Sequence, residues 1–371
     1  MLSVKEVRKM NNIKQIEVIY DNRLVGRLAL TKEGLCAFEY SVEWLDSGFS
    51  ISPFELPLKS GVFIAKPRPF EGGFGVFDDC LPDGWGLLIL DRYLQQKGVN
   101  PRTLTLLDRL ALVGSTGRGA LEFRPDKSII TRQDYVDFEK LALEAEQILD
   151  SDDYTGEGIE EFQDRGGSPG GARPKIFVRY DNKEWLVKFR AKRDPQSIGI
   201  DEYRYSLLAK QCGIEMPETR LFEDKYFGVE RFDRTPNGKL HVVSMAGLIG
   251  ADYRLPSIDY AHIFQVCAML THSVAELWKV YRLMVFNYLI GNKDDHAKNF
   301  AFIYRDGDWH FAPAYDLLPS DGINGFRTTS INDKIEPTKK DLFAVAVRVG
   351  LKEKDTMYCL EKIQKTINYY M

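Results

Sequence analysis

Gly291-Asn292-Lys293-Asp294-Asp295-His296-Ala297-Lys298-Asn299-Phe300 is the most informative stretch of this chain. It follows Val274–Ile290, an apolar-rich segment with helical spacing, and leads into an alternating segment that predicts a hairpin over Phe300–Phe311 with Asp306-Gly307 at its tip. Within the stretch, Asp294 and Asn299 stand five positions apart. That spacing suits phosphoryl transfer: the aspartate takes the proton of an incoming hydroxyl, and the asparagine reaches back to a metal ion that bridges phosphates. Alone, that spacing is common by chance and far more often marks a plain polar loop between a helix and a strand. Asp316 changes the weighing. It lies 17 residues beyond Asn299, in the apolar run Ala314-Tyr315-Asp316-Leu317-Leu318, where a second metal-binding carboxylate would follow the hairpin.

Working upstream, Trp185-Leu186-Val187-Lys188-Phe189 sets one lysine in an apolar strand. A buried ammonium needs a partner, and phosphate oxygens together with Glu202, early in the next helix, would supply one. The alternative is a solvent-facing Lys188 and a Glu202 that only complements its helix dipole. Before that strand runs Gly166-Gly167-Ser168-Pro169-Gly170-Gly171, which lets backbone approach phosphates but lacks the Gly-Lys-Ser/Thr of a Walker A loop, and a flexible linker is the plain alternative. Gly170, Gly171, Ala172 and Lys175 are expected at the phosphates, and Ser168 sets a hydroxyl near them. Strands over Lys175–Tyr180 and Trp185–Arg190, a helix over Asp201–Cys212 capped by Gly213, and strands over Arg220–Phe222 and Phe227–Glu230 complete this region.

The N-terminal part alternates from Ile13 with strands around an Asp21-Asn22-Arg23 turn and further short strands to about Phe63. Helices are predicted over Trp85–Gln95, Pro101–Leu112 and Asp134–Leu149, with a polar stretch at Asp150–Glu161. After Pro236 the chain reads as mainly helical: Tyr260–Leu270, Val274–Ile290, Lys340–Val349 and Lys354–Tyr370. The expected fold class is α+β, with segments 13–125 (mixed α/β), 126–235 (a small lobe with the glycine-rich loop) and 236–371 (a helical large lobe).

Of 371 residues 44% are hydrophobic, enough for a sizeable core, and the net charge of −4 argues against a surface built around nucleic-acid phosphates. Five scattered cysteines without a CxxC pair read as reduced thiols. The N-terminus shows no signal-peptide run and no window carries 18 consecutive apolar residues, so a cytoplasmic protein that does not engage membranes is expected.

Taken together the motifs resemble the HipA family of bacterial toxin kinases. The likeness runs from Phe77-Asp78-Asp79-Cys80-Leu81-Pro82-Asp83-Gly84 and Val113-Gly114-Ser115-Thr116-Gly117-Arg118-Gly119-Ala120-Leu121, through Ser168–Lys175 and Val229-Glu230-Arg231-Phe232-Asp233-Arg234, to Gly291–Phe300 and Tyr315-Asp316. The resemblance implies a bilobal protein-kinase-like fold and an ATP- and Mg²⁺-dependent protein serine/threonine kinase. By position it implies Asp294 as catalytic base, Asn299 and Asp316 as Mg²⁺ ligands, Lys188 as the phosphate-binding lysine with Glu202 as its partner, and Glu230 and Phe232 as the adenine-binding hinge. His296 and Tyr315 would line the nucleotide site, and Ser168 would be an autophosphorylated serine that switches the enzyme off. It further implies a HipB-like helix-turn-helix antitoxin, DNA contact only through that partner, and a protein substrate such as an aminoacyl-tRNA synthetase.

The sequence departs from the family at Pro169, at Arg173-Pro174 and at Asp295, where a glycine is common and a second carboxylate now stands beside Asp294. A small-molecule phosphotransferase would carry much the same catalytic loop but would not need residues 13–125. A pseudokinase would not need Lys188, Asp294, Asn299 and Asp316 together. A metal hydrolase on Asp294, Asp295 and His296 lacks further histidines at ligand spacing.

Overall fold

The computed structural model describes residues 13–128, 136–151, 154, 156, 158–166 and 171–371. Ser168 and Gly170 lie outside the described residues. Two compact units emerge, one drawn from 1–200 and 220–241, the other from 201–219 and 242–371.

The first unit begins with β1 (Gln15–Tyr20), β2 (Arg23–Leu30), β3 (Cys36–Tyr40) and β4 (Val62–Ile64), joined by β5 (Glu122–Arg124) into an antiparallel sheet of order β4-β3-β2-β1-β5. Asp21 and Asn22 both take positive φ (47° and 58°), the backbone of a two-residue hairpin turn that matches strand twist. Helices α1 (Val42–Ser47), α2 (Gly75–Asp78), α3 (Gly84–Gln96) and α4 (Leu106–Val113) follow the strands. The helix expected over Pro101–Leu112 is two pieces. A 3₁₀ turn at Pro101–Thr103 ends at Leu104, and Thr105 then starts α4 through a reciprocal capping box with Asp108.

A second sheet, β6 (Lys175–Tyr180), β7 (Lys183–Lys188), β8 (Thr219–Phe222) and β9 (Tyr226–Glu230), has order β6-β7-β9-β8. Its core is closed by α3, α5 (Phe138–Asp150) and α6 (Gly158–Gly166). Residues 158–161, read as part of a polar stretch, belong to α6. Only Ile159 and Phe162 mark its apolar face among charged neighbours, yet both are fully buried. The Phe162 ring meets Trp85 of α3 edge-on at 5.0 Å and Phe189 at 6.0 Å. A helix of the first 125 residues and the sheet that carries Lys188 thus share one core.

The second unit is mainly helical: α7 (Ile198–Gln211), α8 (Met245–Ile249), α9 (Tyr260–Thr271), α10 (Val274–Ile290), α11 (Lys339–Arg348) and α12 (Glu353–Tyr370). The antiparallel hairpin β11 (Ala301–Arg305) and β12 (Asp308–Phe311) turns at Asp306-Gly307, and β10 (His241–Ser244) lies on the other side of β11. Ile258–Asp259 and Thr329–Ser330 form a short parallel pair. No described helix is long and apolar enough to cross a membrane.

Truncating a fully buried phenylalanine removes transfer free energy and leaves a cavity, typically about 3–5 kcal/mol. Phe162→Ala is expected to lose stability in that range, read as a shift of the urea midpoint at unchanged m-value.

Candidate active site

Helix α10 ends because Gly291 takes φ 72°, the left-handed cap that glycine adopts without strain. The next residue, Asn292, is buried. Its backbone N–H donates to the Asn287 carbonyl at 2.9 Å. Its side-chain oxygen accepts the Asp294 N–H at 3.1 Å, and its side-chain amide donates to Asn287 Oδ1 at 3.2 Å and the Asp316 carbonyl at 3.5 Å. One amide therefore touches both segments that carry the expected acidic residues.

The segment then folds on itself. His296 N–H donates to the Asp294 carbonyl at 2.9 Å, and the same carbonyl accepts the Asn299 side-chain amide at 3.0 Å. A 3₁₀ turn over Ala297–Asn299 starts at His296, whose Nδ1 accepts the Lys298 N–H. The Tyr315 hydroxyl donates to the Lys298 carbonyl at 2.6 Å and ties down the residue before Asp316. Asp316 itself takes φ 60°, a left-handed conformation that aspartate tolerates better than most residues. Asp294 and Asp316 are exposed, whereas Asn299, His296 and Tyr315 are half-buried. Asp294, Asn299, Asp316, His296 and Tyr315 thus sit on adjoining loops of the second unit. Glu202 is buried on α7 of that unit.

Asp295 does not stand beside Asp294 as a second outward carboxylate. It is fully buried, and its Oδ2 accepts the Tyr260 hydroxyl at 2.8 Å and lies 3.5 Å from Arg327 Nη1. Arg327 also donates to the carbonyls of Asn292 (2.9 Å) and Asn287 (3.3 Å), and the Asn287 amide donates to the Tyr260 hydroxyl at 3.0 Å. The Thr329 hydroxyl donates to the Asp295 carbonyl. The inward turn removes the Asp294-Asp295-His296 metal cluster. Among the described residues no group of three or more His, Cys, Asp or Glu is arranged to hold an ion. One carboxylate and one amide, with phosphate oxygens, remain the kind of sparse hard-oxygen set that suits Mg²⁺.

In the first unit the antiparallel register sets Lys175 opposite Lys188, and Lys175 is buried. Directly opposed residues share one face of a sheet, so two cations gather at this end of the β6-β7 hairpin. A Cβ built on Gly171 would lie 2.7 Å from the Lys175 ammonium, so this glycine backbone approaches the same charge. The Lys188 ammonium lies 5.7 Å from the Phe227 ring centroid. Glu230 pairs with Lys183 at 2.9 Å, and Phe232 follows half-buried. Ala172 lies between Gly171 and β6. Sequence reasoning passed over Asn292, Tyr260 and Arg327. The Gly-Asn pair before Asp294 was a usable signal for the first, whereas nothing local marks Arg327.

An α+β chain with a glycine-bearing hairpin sheet, a helical second unit and an Asp-x-x-x-x-Asn loop after a long helix has the protein-kinase-like fold. Residues 167–369 match the HipA-like C-terminal domain and residues 16–124 the HipA N-terminal domain; the chain belongs to the HipA family. Y4dM of Sinorhizobium fredii is 27% identical over 370 residues, covering 91% of this chain and 87% of its own. The serine/threonine-protein kinase toxin HipA of Shewanella oneidensis is 24% identical over 368 residues, covering 87% of this chain and 79% of its own. The solved structure of the Shewanella oneidensis HipA, HipB and operator DNA complex matches with a TM-score of 0.71 at 21% identity, over 96% of this chain and 89% of that one. The fold is shared.

Burial pushes the Asp295 carboxyl up to about 7, against the opposing pull of Arg327 and the Tyr260 hydroxyl. Burial likewise pushes the Tyr260 phenol well above its ordinary value, so it stays a donor. An unfolded aspartate loses its proton near about 4, so between that pH and about 7 the folded Asp295 keeps its proton and its own contribution to stability falls as pH rises. Asp295→Asn is expected to flatten that fall, measured as unfolding free energy in urea at pH 5, 6, 7 and 8. An unchanged slope would remove Asp295 as its source.

Proposed function

We propose that this chain is an ATP- and Mg²⁺-dependent protein serine/threonine kinase acting as the toxin of a toxin–antitoxin pair. The observation that carries the reading is the pair of loops joined through Asn292, which bear Asp294, Asn299 and Asp316. In this reading Asp294 accepts the proton of a serine or threonine hydroxyl as its oxygen bonds to the γ-phosphorus. The bond from that phosphorus to the β–γ bridging oxygen breaks, leaving ADP and a phosphoprotein. Asn299 and Asp316 hold Mg²⁺, which neutralises phosphate charge when bound. Lys188, Lys175, Gly171 and Ala172 serve the phosphates, with Glu202 as the partner of Lys188. Glu230 and Phe232 receive the adenine, and His296 and Tyr315 line the nucleotide.

The related HipA was solved with HipB and operator DNA, which supports a HipB-like helix-turn-helix antitoxin as partner here, with DNA reached through it. A translation component such as an aminoacyl-tRNA synthetase is the proposed substrate, and the cytoplasm the proposed compartment. Ser168 is the proposed site of self-inhibition, because a phosphoserine charge would compete with ATP phosphates.

Removing the base should cost on the order of 10²–10⁴-fold in transfer. Asp294→Asn is therefore expected to lose labelling of protein in cell extract by that factor while ATP affinity, measured by calorimetry, stays within about threefold. Full turnover in Asp294→Asn would sink the assignment, and label appearing only in small molecules would favour a small-molecule phosphotransferase on the same fold. Peptide mapping of protein made from the active chain should find phosphate on Ser168. Its absence from a turning-over enzyme would discard self-inhibition.

A further inference from the structure

Two motifs of the first 125 residues have no part in the chemistry above: Leu81-Pro82-Asp83-Gly84 and Gly114–Gly119. Both end on the backbone that the nucleotide reading uses. Asp233, three residues past Glu230, is buried. Its carboxylate accepts the Gly119 N–H at 2.8 Å, Arg231 Nε at 3.0 Å and Nη2 at 2.8 Å, and Arg234 Nη1 at 3.0 Å. Burial alone would raise this carboxyl, but the two guanidiniums hold it well below the usual carboxylate range. Both arginines reach on to the first segment. Arg231 donates to the Gly117 carbonyl at 3.2 Å; Arg234 donates to Gly119 at 2.9 Å and to Gly117 at 2.8 Å. The Arg231 N–H is held by the Glu184 carbonyl at 2.8 Å. Glu230 and Phe232 therefore sit in a backbone pinned on both sides by a buried ionic cluster.

The second contact falls at the other end of the sheet. Gly171 donates its N–H to the Asp83 carboxylate, and its carbonyl accepts the Trp85 N–H at 2.9 Å. Gly84, with φ +46°, allows this approach, since a Cβ there would lie 2.5 Å from the Gly171 oxygen. Both backbone groups of Gly171 are thus held by the corner that opens α3.

We propose that the first 125 residues are a positioning part of the nucleotide site. Asp233 with Gly117–Gly119 fixes the adenine-binding segment, and Asp83-Gly84 fixes Gly171 at the phosphate end. The proposal rests on the reading of Glu230, Phe232 and Gly171 as nucleotide contacts. It makes the two ends of the nucleotide separable, which a general loss of stability would not.

Calorimetric titration of adenosine and of ATP with Mg²⁺ into the full chain tests it, with thermal melting as the check of folding. Asp233→Asn should weaken adenosine and ATP by the same factor, at least about tenfold, since small displacements at a binding site carry large factors. Asp83→Asn should weaken ATP by at least about tenfold and adenosine by less than about twofold. Gly84→Ala should follow Asp83→Asn, and Arg234→Lys, which keeps the charge but loses the fork, should follow Asp233→Asn with a smaller factor. These two variants decide the matter where an aspartate variant does not fold. Folded variants at either end that leave both ligands unchanged, or a folded Asp83 or Gly84 variant that weakens adenosine as much as ATP, overturn the proposal. Wild type that binds neither adenosine nor ATP overturns the nucleotide reading itself, and the proposal with it.

Discussion

Asn292 is cut off from water, so its side chain must find every partner within the protein. Leaving a buried amide group unpaired costs about 1–3 kcal/mol. The partners it finds are the Asp294 N–H, the Asp316 carbonyl and the Asn287 side chain. Those bonds form together only when the loop after α10 and the loop after β12 both take their observed courses. A buried polar group thus sets the backbone beneath two exposed carboxylates. Exposed side chains are poor organisers of their own geometry, because water competes for every bond they make.

Arg327 and Asp295 reinforce this from behind. Arg327 reaches the Asn287 carbonyl in the last turn of α10 and the Asn292 carbonyl just beyond it. Asp295 faces the same guanidinium and the Tyr260 hydroxyl. The alternation Asp294 out, Asp295 in gives adjacent, chemically identical residues different work: one is presented to solvent and the other holds the loop. The first unit follows the same logic at Asp233, where a buried carboxylate gathers two arginines and a backbone N–H. Directional bonds of this kind fix a segment in one place, which apolar packing alone does less sharply.

Much of this was legible from the sequence. The helices at Tyr260–Thr271 and Val274–Ile290 lie within one residue of their expected bounds, because long apolar periodicity is a strong signal. The turns at Asp21-Asn22 and Asp306-Gly307 were readable from residues that tolerate positive φ. Helix α6 was not, since two buried apolar residues in nine leave little periodicity to detect. The break between Pro101–Thr103 and α4 was missed because the capping box at Thr105 competes with a continuous apolar pattern. Asp295 was read as a partner of Asp294, and a spacing of one residue says nothing about which way each side chain turns in a loop.

By itself the sequence determined the α+β class, the family and the motif that bears Asp294 and Asn299, since periodicity, turn chemistry and motif spacing are all local along the chain. Only the tertiary structure decided what holds those residues. A bond from Arg327 to Asn292 across 35 positions does so, and in the first unit one from Gly119 to Asp233 across 114 holds the segment after Glu230 in the same way. Such pairs arise from burial, which forces each polar group to find a partner wherever the fold brings one, and no local pattern records where that will be.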